Sequence, residues 1–232
     1  MTKTAVDIHH LYQSYQESGN EHEIFTDLNF TVSQGEFIVL LGRSGSGKST
    51  MLNLISGIDL PASGELFVNG VDLTTLSELN RTLFRRRNIG FVFQSYNLIP
   101  TLTVEENLLL PLELVKRNGI EARRRVVELL DSLGLVDRLQ SYPDRLSGGE
   151  QQRIAVVRSL VHDPALILAD EPTGNLDLET GQQVLALLDN LASQRGKTLI
   201  MATHSREVIG KADRIVTIKD KGIVTITDDS DS

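Results

Sequence analysis

A glycine-rich stretch ending in lysine is the part of this sequence best suited to chemistry. It fits the pattern G-x-x-x-x-G-K-[ST] and reads Gly42-Arg43-Ser44-Gly45-Ser46-Gly47-Lys48-Ser49-Thr50. Glycines let the backbone curve closely around an oxyanion, so that several N–H groups converge on it. Lys48 can add a charge-assisted hydrogen bond to outer phosphates, and the Ser49 hydroxyl can ligate Mg²⁺. The stretch is therefore predicted to be a phosphate-binding loop.

A pair of acids at the end of an apolar run is the second candidate for chemistry. Residues 166–169 are apolar, and Asp170 and Glu171 follow directly. In parallel sheets, ligands bind at the carboxyl ends of the strands. Asp170 is predicted to hold Mg²⁺, either directly or through water. Glu171 is predicted to orient an attacking water or to take its proton.

A third candidate is a run of small residues before a helix. The sequence Leu146-Ser147-Gly148-Gly149-Glu150 precedes an apolar helix predicted at residues 153–161. Its Ser-x-x-Glu spacing is that of a capping box, and the glycines leave bare backbone at the positive end of the helix. This pattern predicts a second anion site. Taken by itself, it also suits a well-capped helix that binds nothing.

The elements predicted around these residues describe an α/β protein. Residues 37–41 read as a strand buried on both faces, followed by the loop and then by a helix at residues 48–58. Alternating residues 28–32 predict a half-buried strand, and Asn69-Gly70 predicts a tight hairpin turn after residues 66–68. The N-terminal third is thus expected to combine antiparallel ribbons with the nucleotide-binding strand.

The middle of the chain reads as a helical insert. Thr103 and Glu106 form a second capping box, and Pro111 is expected to kink or interrupt the helix that follows. Beyond the insert, the alternation of strands and helices resumes. The predicted organisation is a single domain with three parts: an α/β core with a β subdomain at residues 1–93 and 160–227, a helical subdomain at 95–158, and an acidic tail at 228–232.

Composition narrows the functional class. The 232 residues include no cysteine, which excludes disulfides and thiolate chemistry. Their formal net charge of −8 argues against a broad nucleic-acid footprint. No apolar run reaches the roughly 20 residues that span a bilayer. The arginine triplets at residues 85–87 and 123–125 are interpreted as solvated helix faces. These features suit the cytoplasm.

With residues 146–150, the phosphate loop and the Asp170-Glu171 strand, the sequence resembles the ATP-binding cassette (ABC) ATPases. The resemblance extends from about residue 6 to residue 227. The resemblance implies a P-loop NTPase fold: a RecA-like core with a mostly parallel sheet, an N-terminal antiparallel β subdomain and a helical insert subdomain. It implies ATP and Mg²⁺ as cofactors, and catalytic roles for Glu171, Gln94 and His204. Ser49, Gln94 and Asp170 would be the metal residues.

The resemblance also assigns residues to the remaining motifs. In the signature motif, Ser147, Gly148, Gly149 and Glu150 would contact the ATP of the other subunit. Asn175, Leu176 and Asp177 stand where the D-loop lies, with Gly174-Asn175 in place of the usual Ser-Ala. Tyr15 stands where an aromatic stacks on adenine, and Tyr12 is the alternative.

Within the family, residues 91–107 and 169–177 look like the lipoprotein-release (LolD), macrolide-export (MacB) and cell-division (FtsE) group. The resemblance implies that two copies enclose two ATP molecules and drive a separate transmembrane permease, which docks near residues 94–101. The chain would then lie peripherally at the cytoplasmic face of the membrane. The expected function is export or lipoprotein extraction; the alternative is mechanotransmission of the FtsE type, without transport.

Two further classes fit less well. A nucleic-acid machine of the same superfamily typically carries coiled coils, zinc modules or paired cassettes, and none is present in the sequence. Nucleic acid is therefore not expected as a partner. A small-molecule kinase or GTPase would leave the signature and His204 unexplained, and the sequence contains no Asn-Lys-x-Asp motif.

Overall fold

The computed structural model describes residues 3–17, 19–193, 196–204 and 210–226. The chain divides into two compact units: unit 1 comprises Met1–Leu83 and Gly196–Ser232, and unit 2 comprises Phe84–Arg195. The predicted acidic tail at 228–232 lies outside the described residues. The sequence also predicts a strand at residues 223–227, and the last residue of that strand lies outside them as well. Among the residues that are described, no helix has both the length and the apolar composition needed to cross a membrane.

The described residues form ten strands and six α-helices. The strands are β1 (Thr4–Glu17), β2 (Asn20–Ser33), β3 (Phe37–Leu41), β4 (Ser63–Val68), β5 (Val71–Asp72), β6 (Ile89–Val92), β7 (Leu166–Asp170), β8 (Thr198–Thr203), β9 (Arg214–Lys219) and β10 (Gly222–Ile226). The helices are α1 (Lys48–Ser56), α2 (Glu78–Asn88), α3 (Val104–Leu114), α4 (Ile120–Asp131), α5 (Gly148–Leu160) and α6 (Leu178–Ser193).

Unit 1 contains an antiparallel sheet in the order β2-β1-β4-β5. Alternating apolar side chains of β2, including Leu28, Phe30 and Val32, are buried, as the two-residue period predicts. The turn between β4 and β5 has Asn69 at φ 49° and Gly70 at φ 77°. Two successive left-handed residues are the requirement of a type I′ turn, so the predicted hairpin is confirmed.

Unit 1 also contains parallel strands that lead to the phosphate loop. β3 pairs in parallel with β8 on one side and with β9 on the other, and β10 pairs antiparallel with β9. Every residue of β8 is buried, as are Phe37 to Leu40 of β3. α1 follows the loop, buries Met51, Leu52, Leu54 and Ile55, and ends at Ser56. Its C-cap is Gly57, whose φ of 70° is the left-handed conformation that glycine adopts without strain.

Unit 2 combines a parallel strand pair with a helical cluster. β6 pairs in parallel with β7, and α5 packs against β6 and α6. Apolar faces of α3, α4 and α5 meet in a buried cluster that includes Leu108, Val126, Leu130, Ile154 and Val157. Arg123, in one of the arginine triplets, pairs with the buried Glu105 at 2.6 Å, so this arginine has a structural role.

Several predicted boundaries move in the structure. α3 runs through Pro111 to Leu114, so the expected interruption is absent from this described helix. α5 begins at Gly148, five residues before the predicted start at 153, because the capping box forms the first turn. The sequence predicts a helix or helical loop at residues 73–87, whereas α2 begins only at Glu78. β1 and β2 extend beyond the strands predicted at residues 6–12 and 28–32.

Candidate functional site

The phosphate loop, residues 42–50, connects β3 to α1 in unit 1. Gly47 is the N-cap of α1 with φ 96°, a conformation that strains any other residue, and a methyl group there would lie 2.8 Å from Ile24 Cγ2. The Lys48 side chain is 4% exposed, and its ammonium donates to the carbonyl oxygens of Gly42 at 2.8 Å and Arg43 at 3.0 Å. These bonds hold the lysine across its own loop.

His204 lies at the same sheet edge as the phosphate loop. Leu41 of β3 pairs in parallel with Thr203 of β8. Gly42 directly follows β3 and His204 directly follows β8, and His204 is exposed. The carboxyl ends of two neighbouring strands thus bring the loop and the histidine together within unit 1.

Tyr15 stands beside the start of α1. Its hydroxyl donates to the Asp59 carboxylate at 3.1 Å and interacts with the Thr50 side chain, while the residue remains 40% exposed. Burial, followed by the charge of Asp59, raises the pKa of the Tyr15 hydroxyl. The Tyr12 hydroxyl instead donates to Glu21 on β2 at 2.9 Å. An exposed ring next to the last residue of the phosphate loop is suitable for base stacking.

In unit 2, Gln94 and the two acids lie at the carboxyl ends of paired strands. Val92 of β6 pairs in parallel with Ala169 of β7, so Gln94 and Glu171 each stand two residues beyond this pair. Glu171 has φ 45°, and its carbonyl oxygen accepts the N–H of Gly174 at 3.0 Å. A non-glycine residue in the left-handed region is uncommon and is often found at functional sites.

Gly174 and Asn175 lie against Gln94. Asn175 donates its side-chain amide to the carbonyl oxygen of Gln94 at 3.1 Å, and a methyl group at Gly174 would lie 2.9 Å from the Gln94 side-chain nitrogen. Asp177 accepts the N–H and the hydroxyl of Thr180 at 2.9 and 2.7 Å, and the backbone bond is the main cause that lowers the pKa of Asp177. The glycine and asparagine at 174–175 therefore fit closely around Gln94.

The signature stretch forms the start of α5. Ser147 is the N-cap: its hydroxyl oxygen accepts the N–H of Glu150 at 3.3 Å, and the Glu150 carboxylate accepts the N–H of Ser147 at 2.8 Å. The predicted capping box is confirmed. Because the first N–H groups of a helix have no intrahelical acceptor, those of Gly148 and Gly149 can serve an anion, as can the Ser147 hydroxyl proton.

Sequence reasoning assigned no role to Gln152, although it joins three parts of unit 2. This fully buried side chain on α5 donates its amide to the carbonyl oxygen of Pro172 at 2.6 Å and to that of Phe93 at 3.4 Å. These are the residues next to Glu171 and Gln94. The helix was predicted to begin at residue 153, so Gln152 lay outside it and no sequence pattern marked its role.

The oxygen chemistry of the predicted metal residues suits Mg²⁺. Ser49, Gln94 and Asp170 offer a hydroxyl, an amide oxygen and a carboxylate, which are hard ligands. Among the described residues, no group of three or more His, Cys, Asp or Glu side chains could hold a metal ion. Mg²⁺ does not require such a group, because it binds through one or two protein oxygens together with substrate phosphates and water.

A buried strand, a glycine-lysine loop and a helix with a left-handed cap define a nucleotide-binding protein of the P-loop class. The sequence matches the ABC transporter family over residues 25–174, which is more than half of the chain. The chain belongs to the ABC transporter family, as an ATP-binding domain, and this membership implies ATPase activity. The predicted family is confirmed.

Two curated relatives illustrate the match. The chain is 51% identical over 217 residues to an uncharacterized ABC transporter ATP-binding protein of Mycobacterium tuberculosis, covering 92% of this chain and 86% of that protein. It is 41% identical over 219 residues to the macrolide export ATP-binding/permease protein MacB of Rhodopirellula baltica, covering 93% of this chain and 32% of that protein.

The fold also matches a solved structure. The ATP-binding cassette MJ0796, in a dimeric post-hydrolysis state bound to ADP and Pi, superposes with a TM-score of 0.87 at 37% identity, covering 96% of this chain and 99% of that one. The predicted α/β P-loop NTPase fold is confirmed.

Proposed function

We propose that two copies of this chain enclose two ATP molecules and use their hydrolysis to drive a separate transmembrane partner. Family membership supports ATP hydrolysis, and the similarity to MacB, in which an ATP-binding part and a permease share one chain, supports a membrane partner. The dimeric cassette that superposes on this chain supports pairing. The partner is an ABC exporter or a lipoprotein extractor, which places the chain at the cytoplasmic face of the membrane.

In unit 1, the nucleotide is bound by the loop and its neighbours. Residues 42–50 hold the phosphates through backbone N–H groups and Lys48, and Tyr15 stacks on adenine. His204 holds the γ-phosphate. The supporting observations are the buried lysine inside its loop, the exposed Tyr15 ring beside Thr50, and the position of His204 on the strand paired with β3.

In unit 2, Glu171 orients the attacking water or takes its proton, and Gln94 reaches the metal and that water. Their equivalent positions beyond the paired strands β6 and β7 support these roles. Gln94 and Asp170 would supply oxygen ligands to Mg²⁺, which would neutralise developing charge on the phosphates. Asn175, Leu176 and Asp177 relay contacts between the two sites of the dimer, supported by the bond from Asn175 to Gln94.

The capped start of α5 is the single observation that carries the dimer proposal. The chain has a phosphate loop in unit 1, and Ser147, Gly148 and Gly149 in unit 2 present a second set of hydrogen-bond donors suitable for an anion. A two-fold pair gives this second set a ligand, because each copy then supplies its signature to the ATP of the other. Closure follows ATP binding, and opening follows loss of the γ-phosphate.

The docking segment, residues 94–101, is the proposed contact with the permease. Ser95, Asn97, Ile99 and Pro100 are exposed, which gives the segment both polar and apolar surface. Its backbone is nevertheless held firmly: Arg158 of α5 donates to the carbonyl oxygens of Tyr96 and Asn97, and the buried Asn107 donates to that of Ile99. A segment fixed to the signature helix can transmit movement to it.

The proposal is tested by measuring ATP turnover as a function of protein concentration. Pairing predicts that turnover per chain rises with concentration and then reaches a plateau. Turnover per chain that is constant down to concentrations where the protein is monomeric would contradict pairing. Stoichiometric co-purification from membranes identifies the permease, and a partner without a substrate cavity would support mechanotransmission instead of transport.

A further inference from the structure

We propose that Arg138 is a positioning residue for the signature: it neutralises the Glu150 carboxylate and so keeps the start of α5 able to accept a phosphate. The inference deepens the proposed function and rests on it, because the phosphate is that of the ATP bound by the other copy. Arg138 lies in a short 3₁₀ helix, Val136–Arg138, nine residues before the signature serine.

The carboxylate is held from two sides. One oxygen of Glu150 accepts the N–H of Ser147 at 2.8 Å, and the other accepts the side-chain Nε–H of Arg138 at 3.0 Å. The Glu150 side chain is 17% exposed and that of Arg138 is 43% exposed. The arginine therefore covers the carboxylate while its outer part remains in water.

Glu150 carries a negative charge at the start of α5, where the proposal also requires a negatively charged phosphate to bind. The backbone N–H of Ser147, and to a smaller extent Arg138, hold the pKa of Glu150 below its ordinary value of 4.5, so the carboxylate is ionised at neutral pH. A phosphate on the N–H groups of the same first turn would lie well within the Debye length of about 8 Å, so the two anions would repel each other. A cation on the carboxylate offsets that repulsion.

The other charged side chains considered near Glu150 do not pair with its carboxylate. Arg153, one turn along α5, donates its Nε–H to the carbonyl oxygen of Gly149 at 3.3 Å. Asp137 lies 3.5 Å from a terminal nitrogen of Arg138 and is exposed, so water screens it. Among the described residues, Arg138 is the cation paired with Glu150.

A double-mutant cycle separates charge compensation from folding. Glu150→Gln removes the charge and keeps an oxygen for the Ser147 N–H, because glutamine also completes a capping box. Arg138→Ala is made with and without Glu150→Gln, and Arg138→Lys retains the charge. All variants carry Glu171→Gln so that ATP persists. The measured quantity is the ATP concentration that gives half-maximal dimerisation, and dimerisation is monitored by analytical ultracentrifugation.

Charge compensation predicts a specific pattern. Arg138→Ala raises the half-maximal ATP concentration about three- to tenfold when Glu150 is present, and less than about twofold when it is glutamine. Arg138→Lys restores most of the affinity. The deficit of Arg138→Ala shrinks at high salt, because screening weakens the repulsion. Arg124→Ala, which breaks the surface pair with Glu128 on α4, is the matched control and leaves dimerisation unchanged.

Other results overturn the inference. An Arg138→Ala deficit of the same size in both backgrounds, or one that does not change with salt, would mean that the arginine serves only the local fold. No deficit at all would remove Arg138 from the site. If the parent with Arg138 and Glu150 intact stays monomeric at saturating ATP, the dimer proposal itself fails, and this inference falls with it.

Discussion

A methyl group added at Gly149 tests how closely the signature packs against α6. It would lie 2.4 Å from Cγ2 of Thr180, while the next nearest atoms of that residue are 3.7 Å away. A real Cβ atom does not approach a carbon atom so closely, so Gly149→Ala must displace α6 or the start of α5. Thr180→Ser deletes the one atom that clashes and keeps the hydroxyl that donates to Asp177.

The expected energies follow from two opposing effects. Overpacking of this kind costs about 1–3 kcal/mol, whereas alanine favours a helix over glycine by about 0.5–1 kcal/mol. Gly149→Ala should therefore lower the free energy of unfolding by up to about 2.5 kcal/mol. In the Thr180→Ser background the clash is gone, and the same change should raise that free energy by about 0.5–1 kcal/mol. The two changes should thus be coupled by about 1–3 kcal/mol.

The assay is urea unfolding of the four proteins of the cycle, with ATP-dependent dimerisation as a second measurement. Thr180→Ser alone should cost less than about 1.5 kcal/mol, since it removes a single methyl group. If Gly149→Ala has the same effect in both backgrounds, Thr180 is not the residue that requires glycine at this position. A large loss of dimerisation in the rescued double mutant would mean that the methyl group meets the nucleotide instead.

Three further predictions concern the nucleotide site and the capping box. Glu171→Gln should retain ATP binding while turnover falls about 10²–10⁴-fold, and near-normal turnover would remove Glu171 from the mechanism. Tyr15→Ala should weaken ATP binding about three- to tenfold through lost stacking, with Tyr15→Phe close to wild type. Tyr12→Ala is the matched control, and a larger loss there would transfer the stacking role to Tyr12. Because the folded pKa of Glu150 lies below 4.5, its stabilising contribution is present above that pH and lost as pH falls through the folded value. The stability gap between wild type and Glu150→Gln should therefore close on acidification, and a gap that stays constant with pH would contradict the ionised cap.

Features encoded by neighbouring residues could be predicted from the sequence. The apolar run of β3, the glycine pattern of the phosphate loop and the Ser-x-x-Glu spacing at 147–150 act over a few residues. Local preference and native structure agree there. The left-handed Asn69-Gly70 turn was predictable for the same reason. Helix ends such as the start of α2 at Glu78 were less so, because tertiary packing decides where a helix begins.

The contacts that position the site could not be predicted in this way. Arg138 and Glu150 are separated by a short 3₁₀ turn and the signature loop, and Asn175 and Gln94 are 81 residues apart. Gln152 reaches the carbonyl oxygens of Phe93 and Pro172 because α5 packs beside the strands that precede them. A periodic pattern within one stretch does not indicate which distant residue a side chain contacts. These contacts can therefore be identified only from the three-dimensional structure.

Mixing two inactive variants tests most directly whether each site is shared between two copies. Lys48→Ala damages only the phosphate loop, and Ser147→Arg damages only the signature, so each variant alone should have two defective sites. In a mixed pair, both defects fall on one site and leave the other intact, and an equal mixture should recover about a quarter of wild-type turnover. Turnover of the mixture no higher than the mean of the two variants would contradict the shared site.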